Sequence, residues 1–374
     1  MTIDSRAAGS APAALPSSLE AWGWDDRWAA AFVALAADDR SPARVIAQHR
    51  GRWLLAGENR EWSASLTGRL RYAAGDGELP AVGDWVGCVR PAGGGGAARI
   101  DSVLPRRSAF VRRAAGSWVG AQTVAANVDT LFVTTSLNAD LNPRRLERYV
   151  AMARESGADP VVLLTKEDLV EDGTALVARL ANELRVPVVA LSSRTGAGVE
   201  AVRPWLVRGR TIALVGSSGV GKSTLLNRLA GKELMETREV REDDGRGRHT
   251  TTHRELFRLP GGALMLDTPG VREIGLWDAD QGLADTFTEI LELADRCRFR
   301  DCGHRHEPGC AVRAAIRAGD LDEARLLSFR RLGEELAEQP SEAERREAKR
   351  QFFKSIEVAA HARAKRKDSG WQDR

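Results

Sequence analysis

A glycine-rich loop in the second half of the chain ties its architecture to one class of fold. Residues 211–215 (TIALV) are typical of a buried strand, and residues 223–231 (STLLNRLAG) are typical of a helix. Between them, residues 216–224 (GSSGVGKST) match the Walker A pattern in the strand–loop–helix setting that it requires. Glycines let successive backbone N–H groups point at one phosphate, and the helix N-terminus adds partial positive charge. A chance glycine-rich turn would not reproduce all four fixed positions, so the sequence predicts a P-loop nucleotide-binding domain.

Each residue of this loop is predicted to line the phosphates of the nucleotide. Lys222 is expected to reach the β- and γ-phosphate oxygens, and the Ser223 hydroxyl is expected to ligate Mg²⁺. The predicted phosphate-binding residues are Gly216, Ser217, Ser218, Gly219, Val220, Gly221, Lys222, Ser223 and Thr224.

A second phosphate-side motif follows the apolar strand predicted at residues 263–266, where Asp267-Thr-Pro-Gly270 ends the run LMLDTPG. A carboxylate beside the P-loop can hold Mg²⁺ through a water molecule, and a glycine N–H can contact the γ-phosphate. These roles are predicted for Asp267 and Gly270. The motif recurs by chance in proteins, and its position after an apolar strand makes it specific.

Hydrolysis is predicted to depend on the polar segment 245–252 (GRGRHTTT), which has no periodicity and is typical of a switch loop. Thr250 and Thr251 are both candidates to close on Mg²⁺, with Thr251 preferred. Many small GTPases place a water-orienting Gln after DxxG, whereas this chain has Val271. An apolar side chain cannot orient water, so slow intrinsic hydrolysis is expected. His249 is the nearest group that can hold the water, unless it is only a solvated loop residue.

The choice of base is predicted from two loops that follow neighbouring strands. After the apolar run 160–164, the Asp168 carboxylate can accept from N1–H and the exocyclic amine of guanine, whereas it would repel adenine N1. The Lys166 stem can lie over the base, and the loop 191–198 offers backbone groups and the Ser193 hydroxyl to O6. The loops together favour GTP over ATP. The predicted base-site residues are Thr165, Lys166, Glu167, Asp168, Ser192 and Ser193.

The predicted elements around these loops alternate between strands and helices, which is typical of a mostly parallel sheet covered on both faces. Strands are predicted at residues 129–135, 160–164, 186–191, 211–215 and 263–266, and helices at residues 143–156 and 174–184.

Upstream, about residues 43–114 change to short β-like runs separated by glycines. Five such runs, one of them residues 64–72, predict a small barrel of the oligonucleotide-binding (OB) or SH3-like kind. Seven of the ten tryptophans lie at or before Trp118, and they either fill the barrel core or stack on bases. A basic edge, either a solvated face or a nucleic-acid contact, is formed by Arg106, Arg107, Arg112 and Arg113.

Three of the four cysteines lie within residues 297–310, in the pattern Cys297-x4-Cys302-x-His304-x5-Cys310. Three thiolates and one imidazole form a closed tetrahedral set for structural Zn²⁺, whereas a catalytic zinc would keep one position for water. By spacing alone, His306 can replace His304 as the fourth ligand. The spacing is that of a metal site and not of a disulfide framework, which indicates a reducing cytoplasm. Cys88 is predicted to be a small core residue of the barrel.

The order of the motifs identifies a family. The base-reading loops come before the P-loop, whereas ordinary GTPases have them after it. The sequence therefore resembles the circularly permuted GTPases and, among them, the ribosome small-subunit-dependent GTPase A (RsgA/YjeQ) family. The resemblance covers about residues 40–365 and includes residues 125–150, residues 247–252 and the Cys/His cluster. It favours His304 as the zinc ligand. One departure is Thr165 in place of the Asn of many GTPases, which predicts weaker guanine affinity with guanine selection retained.

The resemblance implies a multidomain protein with an N-terminal OB barrel, a circularly permuted GTPase domain and a C-terminal helical domain that binds one zinc ion. The expected boundaries are 1–40 for a leader and short helix, 41–115 for the barrel, 120–275 for the GTPase domain and 276–374 for the zinc domain with a basic tail. It also implies a GTP hydrolase that binds the small (30S) ribosomal subunit and its rRNA late in maturation, in the GTP state. GTP hydrolysis then releases it.

The composition limits where RNA contacts can arise and where the protein resides. The formal net charge is only +3, so affinity for nucleic acid must come from local patches such as the basic tail at residues 345–374. No stretch is long and apolar enough to span a membrane, and the first twenty residues lack the basic start and apolar centre of a signal peptide. A monomeric cytoplasmic protein is expected. Two other functional classes are alternatives to the GTP-hydrolysing assembly factor. One is a metabolic or signalling P-loop enzyme, and the other is a passive RNA-binding module in which GTP has a structural role.

Overall fold

A closed barrel and an open parallel sheet share one continuous set of strands in this protein. The computed structural model describes residues 19–35, 39–49, 51–58, 60–75, 77–90, 96–113, 121–137, 141–231, 254–267 and 280–337. The strands of both parts form a single eleven-stranded sheet, in the order β10-β9-β8-β11-β13-β12-β1-β2-β3-β5-β4.

The barrel consists of five strands and one helix. Its elements are β1 (Arg40–His49), β2 (Arg52–Ala56), β3 (Glu61–Leu66), α2 (Gly68–Ala73), β4 (Trp85–Val89) and β5 (Ala98–Val103). The long strand β1 pairs with both β2 and β4 and so closes the sheet, while β3 and β5 pair in parallel. A closed five-stranded barrel with a helix after the third strand has the OB-fold arrangement, which confirms that alternative.

One predicted run is only half strand. The β3 strand ends at Leu66, and the Thr67 hydroxyl accepts the Leu70 N–H at 3.2 Å, which caps the start of α2. A side-chain cap of this kind satisfies an N–H that the first helical turn leaves without a partner. The prediction of a strand across residues 64–72 is therefore wrong in its second half.

Most tryptophans of this region fill the core. A short 3-10 helix (Leu19–Trp22) and α1 (Asp26–Val33) carry Trp22, Trp24 and Trp28 against the barrel. The Trp24 and Trp85 rings meet edge to face with centroids 4.7 Å apart. Trp22, Trp28, Trp53 and Trp85 are all buried, so the prediction that the tryptophans pack the core is confirmed for them.

Two of the four arginines of the predicted basic edge, Arg106 and Arg107, form ion pairs with other residues of the protein. The Arg106 guanidinium bonds both oxygens of the buried Asp84 carboxylate, at 2.9 and 2.8 Å. Arg107 pairs with Asp25 and lies over the Trp28 ring, 4.5 Å from its centroid. These two arginines stabilise the barrel and its N-terminal cover, so they are not an open basic face.

An antiparallel hairpin that sequence analysis missed separates the barrel from the second part of the sheet. Its strands are β6 (Ala109–Arg113) and β7 (Ala121–Ala126). The Asn127 side chain follows it and accepts the Arg107 N–H at 2.8 Å, while its amide donates to the Gly83 carbonyl at 3.0 Å. The segment is therefore bonded to the barrel as well as leading out of it.

The second part of the sheet agrees closely with the predicted α/β pattern. Its strands are β8 (Thr130–Ser136), β9 (Asp159–Thr165), β10 (Val188–Ala190), β11 (Thr211–Val215), β12 (Arg254–Arg258) and β13 (Leu264–Asp267). Its helices are α3 (Pro143–Glu155), α4 (Thr174–Leu184) and α5 (Lys222–Ala230). All pairings within this part are parallel except that of β12 with β13, which is antiparallel. The strand β12 was not predicted.

Two features join the barrel to the parallel sheet. Strand β1 pairs with β12 at Ala47↔Glu255 and Gln48↔Arg254. Arg44 of β1 is 2% exposed and donates to the Trp22, Gly83 and Asn127 carbonyls and to the Thr211 hydroxyl. Because Thr211 begins β11, one buried guanidinium ties the barrel to the strand that enters the P-loop.

The described residues after β13 form four helices, two of which pack against α3 and two of which flank the cysteine cluster. They are α6 (Asp280–Thr286), α7 (Thr288–Ala294), α8 (Ala311–Ala318) and α9 (Glu323–Ala337). Arg325 is 6% exposed and pairs with Glu147 of α3 at 3.0 Å. Arg148 of α3 forms a bidentate pair with Glu335 of α9. In the part of the chain that is described, none of the helices has the length and apolar character needed to traverse a bilayer.

Candidate functional site

The predicted P-loop and base-reading loops meet at one edge of the parallel sheet. Strands β9, β8, β11 and β13 run parallel, so their carboxyl ends lie on the same side. Thr165 ends β9, Gly216 follows β11, and Asp267 ends β13. A ligand crevice outside the carboxyl ends of the strands is the usual arrangement in open α/β sheets.

The P-loop has a backbone shape that only glycine allows at its first position. Gly216 has φ +146°, and a Cβ placed there would lie 2.0 Å from the Thr134 carbonyl oxygen. Gly221, with φ +92°, leads directly into α5. The Lys222 ammonium curls back onto the loop and donates to the Gly216 and Ser217 carbonyls, at 2.9 Å for Gly216. The lysine therefore lies over the loop that is predicted to hold the phosphates.

Thr165 joins the base-reading loop to the P-loop. Its hydroxyl lies 2.5 Å from the Val220 carbonyl and 3.1 Å from the Thr135 carbonyl, and the residue is buried. From the sequence, the Thr165 hydroxyl was expected only to make fewer contacts with guanine than the Asn amide that many GTPases have at this position. The structure adds that this hydroxyl still links β9 to the loop and to β8, while the effect on guanine affinity stays a prediction.

Asp168 lies in a short 3-10 helix (Glu167–Leu169) that begins after Lys166, whose backbone is left-handed with φ +60°. Its two carboxylate oxygens accept from the Ser192 hydroxyl and the Arg194 guanidinium, each at 2.5 Å. These hydrogen bonds, that of Ser192 first, hold the pKa of the Asp168 carboxyl below its usual value. Asp168 is therefore an anion at neutral pH, as acceptance from two guanine donors requires.

The second base-reading loop lies against the P-loop and its helix. A Cβ placed on Gly221 would be 3.9 Å from both the Ser193 and the Thr165 hydroxyl oxygens. The Ser193 hydroxyl is buried and has no hydrogen-bond partner within the described ranges. Arg228 of α5 donates to the Ser193 carbonyl at 2.7 Å and to the Arg194 carbonyl at 2.6 Å. Sequence analysis placed Arg194 in the second base-reading loop without giving its side chain a role, and it missed Arg228, which lies outside the motifs.

Several predicted site residues lie outside the described residues. They are His249, Thr250, Thr251, Gly270 and Val271. Ser223 and Thr224 lie in the first turn of α5, and Asp267 is at the end of β13, the parallel neighbour of β11. Glu167 begins the 3-10 helix of the base loop, and its N–H donates to the Leu191 carbonyl at 3.2 Å.

The structure gathers the four predicted zinc ligands into one cluster. Cys297, Cys302, His304 and Cys310 bring their ligand atoms within 4.8 Å of one another. The Cys297 and Cys310 sulfurs are 3.9 Å apart, and His304 Nδ1 lies 3.6 and 3.5 Å from them. A tetrahedral zinc with Zn–S near 2.3 Å gives sulfur–sulfur edges of about 3.8 Å. The donor set therefore fits a tetrahedral metal, and the sulfur separation is too long for a disulfide.

Backbone N–H groups favour negative charge on two of the three sulfurs of the cluster. The Ala311 N–H points to the Cys297 sulfur at 3.3 Å, and the Arg313 N–H points to the Cys310 sulfur at 3.4 Å. Backbone N–H groups near Glu307, its own first, hold the pKa of that carboxyl at about 2. It accepts from the residues around the ligand His304, with bonds of 2.9 Å from Gly303 and 2.7 Å from Arg305. His306 is not in the cluster, so the structure selects His304 between the two alternatives.

These features define a class of protein. The chain is a P-loop protein in which the base-reading loops precede the phosphate loop, with an OB barrel before them and a Cys₃His cluster after them. Its fold is shared with the crystal structure of YjeQ from Thermotoga maritima, at a TM-score of 0.58 and 24% identity over 80% of this chain and 100% of that one. It is shared also with the structure of YloQ, a circularly permuted GTPase, at a TM-score of 0.58 and 22% identity over 81% and 97%.

Sequence comparison then places the chain within one family. The model of the RsgA GTPase family matches residues 103–277. The chain is 50% identical to the small ribosomal subunit biogenesis GTPase RsgA of Opitutus terrae, over 86% of this chain and 90% of that protein. It is 45% identical to the RsgA of Streptomyces coelicolor, over 84% and 86%. The chain belongs to the RsgA family of circularly permuted GTPases, which confirms the predicted family and its GTP-hydrolysing class.

Proposed function

We propose that this chain is a GTP hydrolase that acts in late maturation of the small ribosomal subunit. GTP binding favours its attachment to the subunit and its rRNA, and hydrolysis releases it. The observation that carries the proposal is that both base-reading loops are bonded to the P-loop or its helix: the Thr165 hydroxyl bonds the Val220 carbonyl, and Arg228 of α5 donates to the Ser193 carbonyl. Relatives across most of the chain are named small ribosomal subunit biogenesis GTPases.

The phosphates of GTP are held by residues 216–224. Backbone N–H groups of the glycine-rich loop surround them, and the Lys222 ammonium exchanges its loop carbonyls for β- and γ-phosphate oxygens. Mg²⁺, when bound, would supply positive charge against the charge that develops on the transferred phosphoryl group. It would be held by Ser223, by Thr251 and, through water, by Asp267, while the Gly270 N–H meets the γ-phosphate. The Lys222 ammonium therefore has hydrogen-bond acceptors both before GTP binds, in the loop carbonyls, and afterwards, in the phosphate oxygens.

Guanine is read by residues 165–168 and 192–193. Asp168 accepts from N1–H and the exocyclic amine, the Lys166 stem covers the ring, and the second loop offers donors to O6. An ionised Asp168 repels the N1 lone pair of adenine, so the site discriminates by charge as well as by shape. Thr165 links the first loop to the P-loop and Arg228 links the second loop to α5, so base and phosphate contacts form in one connected site.

Hydrolysis requires residues that follow the P-loop in the chain. Val271 stands where a Gln orients water in many GTPases, so His249 is proposed to hold the attacking water and Thr251 to close on the metal. Intrinsic turnover is then slow until a partner completes the site. The small ribosomal subunit is that partner in this proposal.

The Cys₃His cluster is proposed to hold one structural Zn²⁺ per chain. All four positions of a tetrahedral ion are filled by protein ligands, which leaves none for a reacting water. The ion would hold the segment between α7 and α8 in one conformation. It would thereby position the C-terminal helices for contact with the subunit. We further propose that the protein acts as a monomer in the cytoplasm.

The test is the GTPase rate of the purified protein with and without small ribosomal subunits. A rise of tenfold or more with small subunits is expected, because the subunit completes an otherwise incomplete site. Large subunits serve as the matched control, and Lys222→Ala should abolish the stimulated rate. An unchanged rate with small subunits would instead favour a metabolic or signalling P-loop enzyme, or a passive RNA-binding module.

A further inference from the structure

Arg228 is placed to control how the site reads guanine, although it lies outside every nucleotide-binding motif. It occupies the last turn of α5, the helix that begins at the P-loop, and its backbone carbonyl accepts the Gly231 N–H. Its guanidinium crosses to the second base-reading loop and donates from Nε to the Ser193 carbonyl and from a terminal nitrogen to the Arg194 carbonyl. A rigid fork that bonds two consecutive carbonyls defines the orientation of both peptide units.

The orientation of those carbonyls also determines where the loop's N–H groups point. In a planar trans peptide the N–H is antiparallel to the C=O of the same unit. Anchoring the Ser193 carbonyl to Arg228 therefore turns the Arg194 N–H away from the guanidinium. The N–H groups of Ser193 and Arg194 meet no acceptor within the described part of the chain, and the buried Ser193 hydroxyl has no partner there either. These three donors match the O6 acceptor of guanine and do not match the N6 amine of adenine.

The second carbonyl begins a chain of bonds that ends on Asp168. Because Arg228 holds the Arg194 carbonyl, it also orients the Thr195 N–H of the same peptide unit. That N–H donates to the Ser192 hydroxyl at 3.1 Å, and the hydroxyl in turn donates to Asp168 at 2.5 Å. The position of the carboxylate that reads N1–H is thus connected to the P-loop helix by hydrogen bonds and planar peptides alone.

The loop is shaped to admit this side chain. Gly196 has φ +93°, and a Cβ placed there would lie 2.6 Å from an Arg228 guanidinium nitrogen. Any larger residue would displace the guanidinium, so the glycine is needed for both its backbone conformation and the close approach.

We propose that Arg228 is a positioning residue for guanine recognition, which couples the P-loop helix to the loop that reads O6 and to Asp168. The inference rests on the proposed GTP site. Arg228 positions only the groups that bind the base, because the phosphates are bound at the other end of α5. Removing the guanidinium should therefore weaken the reading of the base and leave the grip on the phosphates intact.

The experiment compares Arg228→Ala, Arg228→Lys and the parent protein for binding of GTP, ATP and inorganic tripolyphosphate. Loss of two bonds from a charged donor is expected to lower GTP affinity about tenfold, with ATP and tripolyphosphate affinities unchanged. Arg228→Lys should fall between the two, because one ammonium can still bond a carbonyl. Arg179→Ala is the matched control, since Arg179 is an exposed arginine of α4 that pairs with Glu183.

Each outcome bears on a separate claim. A GTP affinity and a GTP-to-ATP ratio in Arg228→Ala within twofold of the parent would overturn the positioning role. An equal loss for tripolyphosphate would also overturn it, because it would show general damage to the P-loop. A parent protein that binds ATP as well as GTP would contradict the proposed function, and with it the guanine recognition on which this role rests.

Discussion

At the scale of single residues, the site combines one exposed anion with neighbours that stabilise its charge. Asp168 takes hydrogen bonds from Ser192 and Arg194, and these lower the pKa of its carboxyl. A depressed pKa means that the charge is lost only at a pH below the usual carboxyl range. Binding of guanine through this group is accordingly expected to persist throughout the neutral range.

The role of Asp168 is tested by Asp168→Asn. The Asn amide can accept from N1–H while it donates to the O2 of xanthine, but it cannot accept from both N1–H and the exocyclic amine of guanine as the carboxylate does. The variant should therefore lose GTP and gain xanthosine triphosphate. Equilibrium binding of both nucleotides measures the exchange. Glu171→Gln, an exposed carboxylate just beyond the same loop, is the control and should keep its preference for GTP. Unchanged GTP affinity in Asp168→Asn would remove Asp168 from the base site.

At the scale of elements, the segment between α7 and α8 is organised around the Cys₃His cluster and has little regular structure of its own. Residues 295–310 contain no regular helix or strand, and most of their side chains are exposed. Few apolar contacts are therefore available to hold the segment, and the Cys₃His ligands and the Glu307 carboxylate organise it. Metal binding and local folding are expected to be a single event in such a segment.

Cys302→Ala tests this dependence. Structural zinc sites contribute roughly 10 kcal/mol or more to folding, so the variant should lose its zinc and unfold around residues 297–310. Metal analysis and thermal unfolding measure the two effects, with one zinc per chain expected in the parent. Cys88→Ala is the control: Cys88 is buried in the barrel, where burial raises the pKa of its thiol to about 11, and its loss should leave the zinc content unchanged.

The same assay distinguishes His304 from His306 as the fourth ligand of the metal. His304→Ala should lose zinc, whereas His306→Ala should retain it, because His306 lies outside the cluster. A parent protein free of zinc, or a Cys302→Ala variant with the parent's melting temperature, would contradict a structural zinc.

At the scale of the whole molecule, the barrel and the nucleotide-binding sheet form one connected body. Pairing of β1 with β12 and the bonds of Arg44 to the Asn127 carbonyl and the Thr211 hydroxyl cross the boundary between them. Strand β12 also pairs with β13, which ends at Asp267. A partner bound at the barrel and a change at the phosphates would therefore be connected through three adjacent strands of one sheet, β1, β12 and β13.

The grip on RNA is expected to extend to the tail, residues 345–374, which lies outside the described residues. The tail holds ten Lys or Arg and four Asp or Glu, whereas the whole chain has a net charge of only +3. Each duplex phosphate that is neutralised steepens the fall of affinity with salt by nearly one log unit per log unit. Deleting residues 345–374 should therefore weaken binding to small subunits and flatten its salt dependence. Nucleotide affinity, measured alongside, should stay near normal. Equal subunit affinity and an equal salt slope would show that the tail is only a solvated segment.

The sequence by itself determined the local elements and the chemistry of each motif. Hydrophobic periodicity reports which face of an element is buried, and the P-loop and the Cys/His spacing depend on residues close together in the chain. The sequence accordingly predicted the positions of the strands that end before the loops at residues 165 and 216, and the four metal-ligand candidates within residues 297–310. The order of the loops was enough to indicate a permuted GTPase.

Only the tertiary structure decided how distant segments bond to one another. Arg44 and Arg228 look like ordinary surface arginines in the sequence, yet both donate mainly to backbone carbonyls far away in the chain. A carbonyl is present at every residue, so its role as a partner leaves no signature in the sequence. The same reason explains why the β1–β12 pairing was not predicted and why the Thr165 hydroxyl was undervalued. Each depends on backbone groups that only the fold brings within hydrogen-bonding distance.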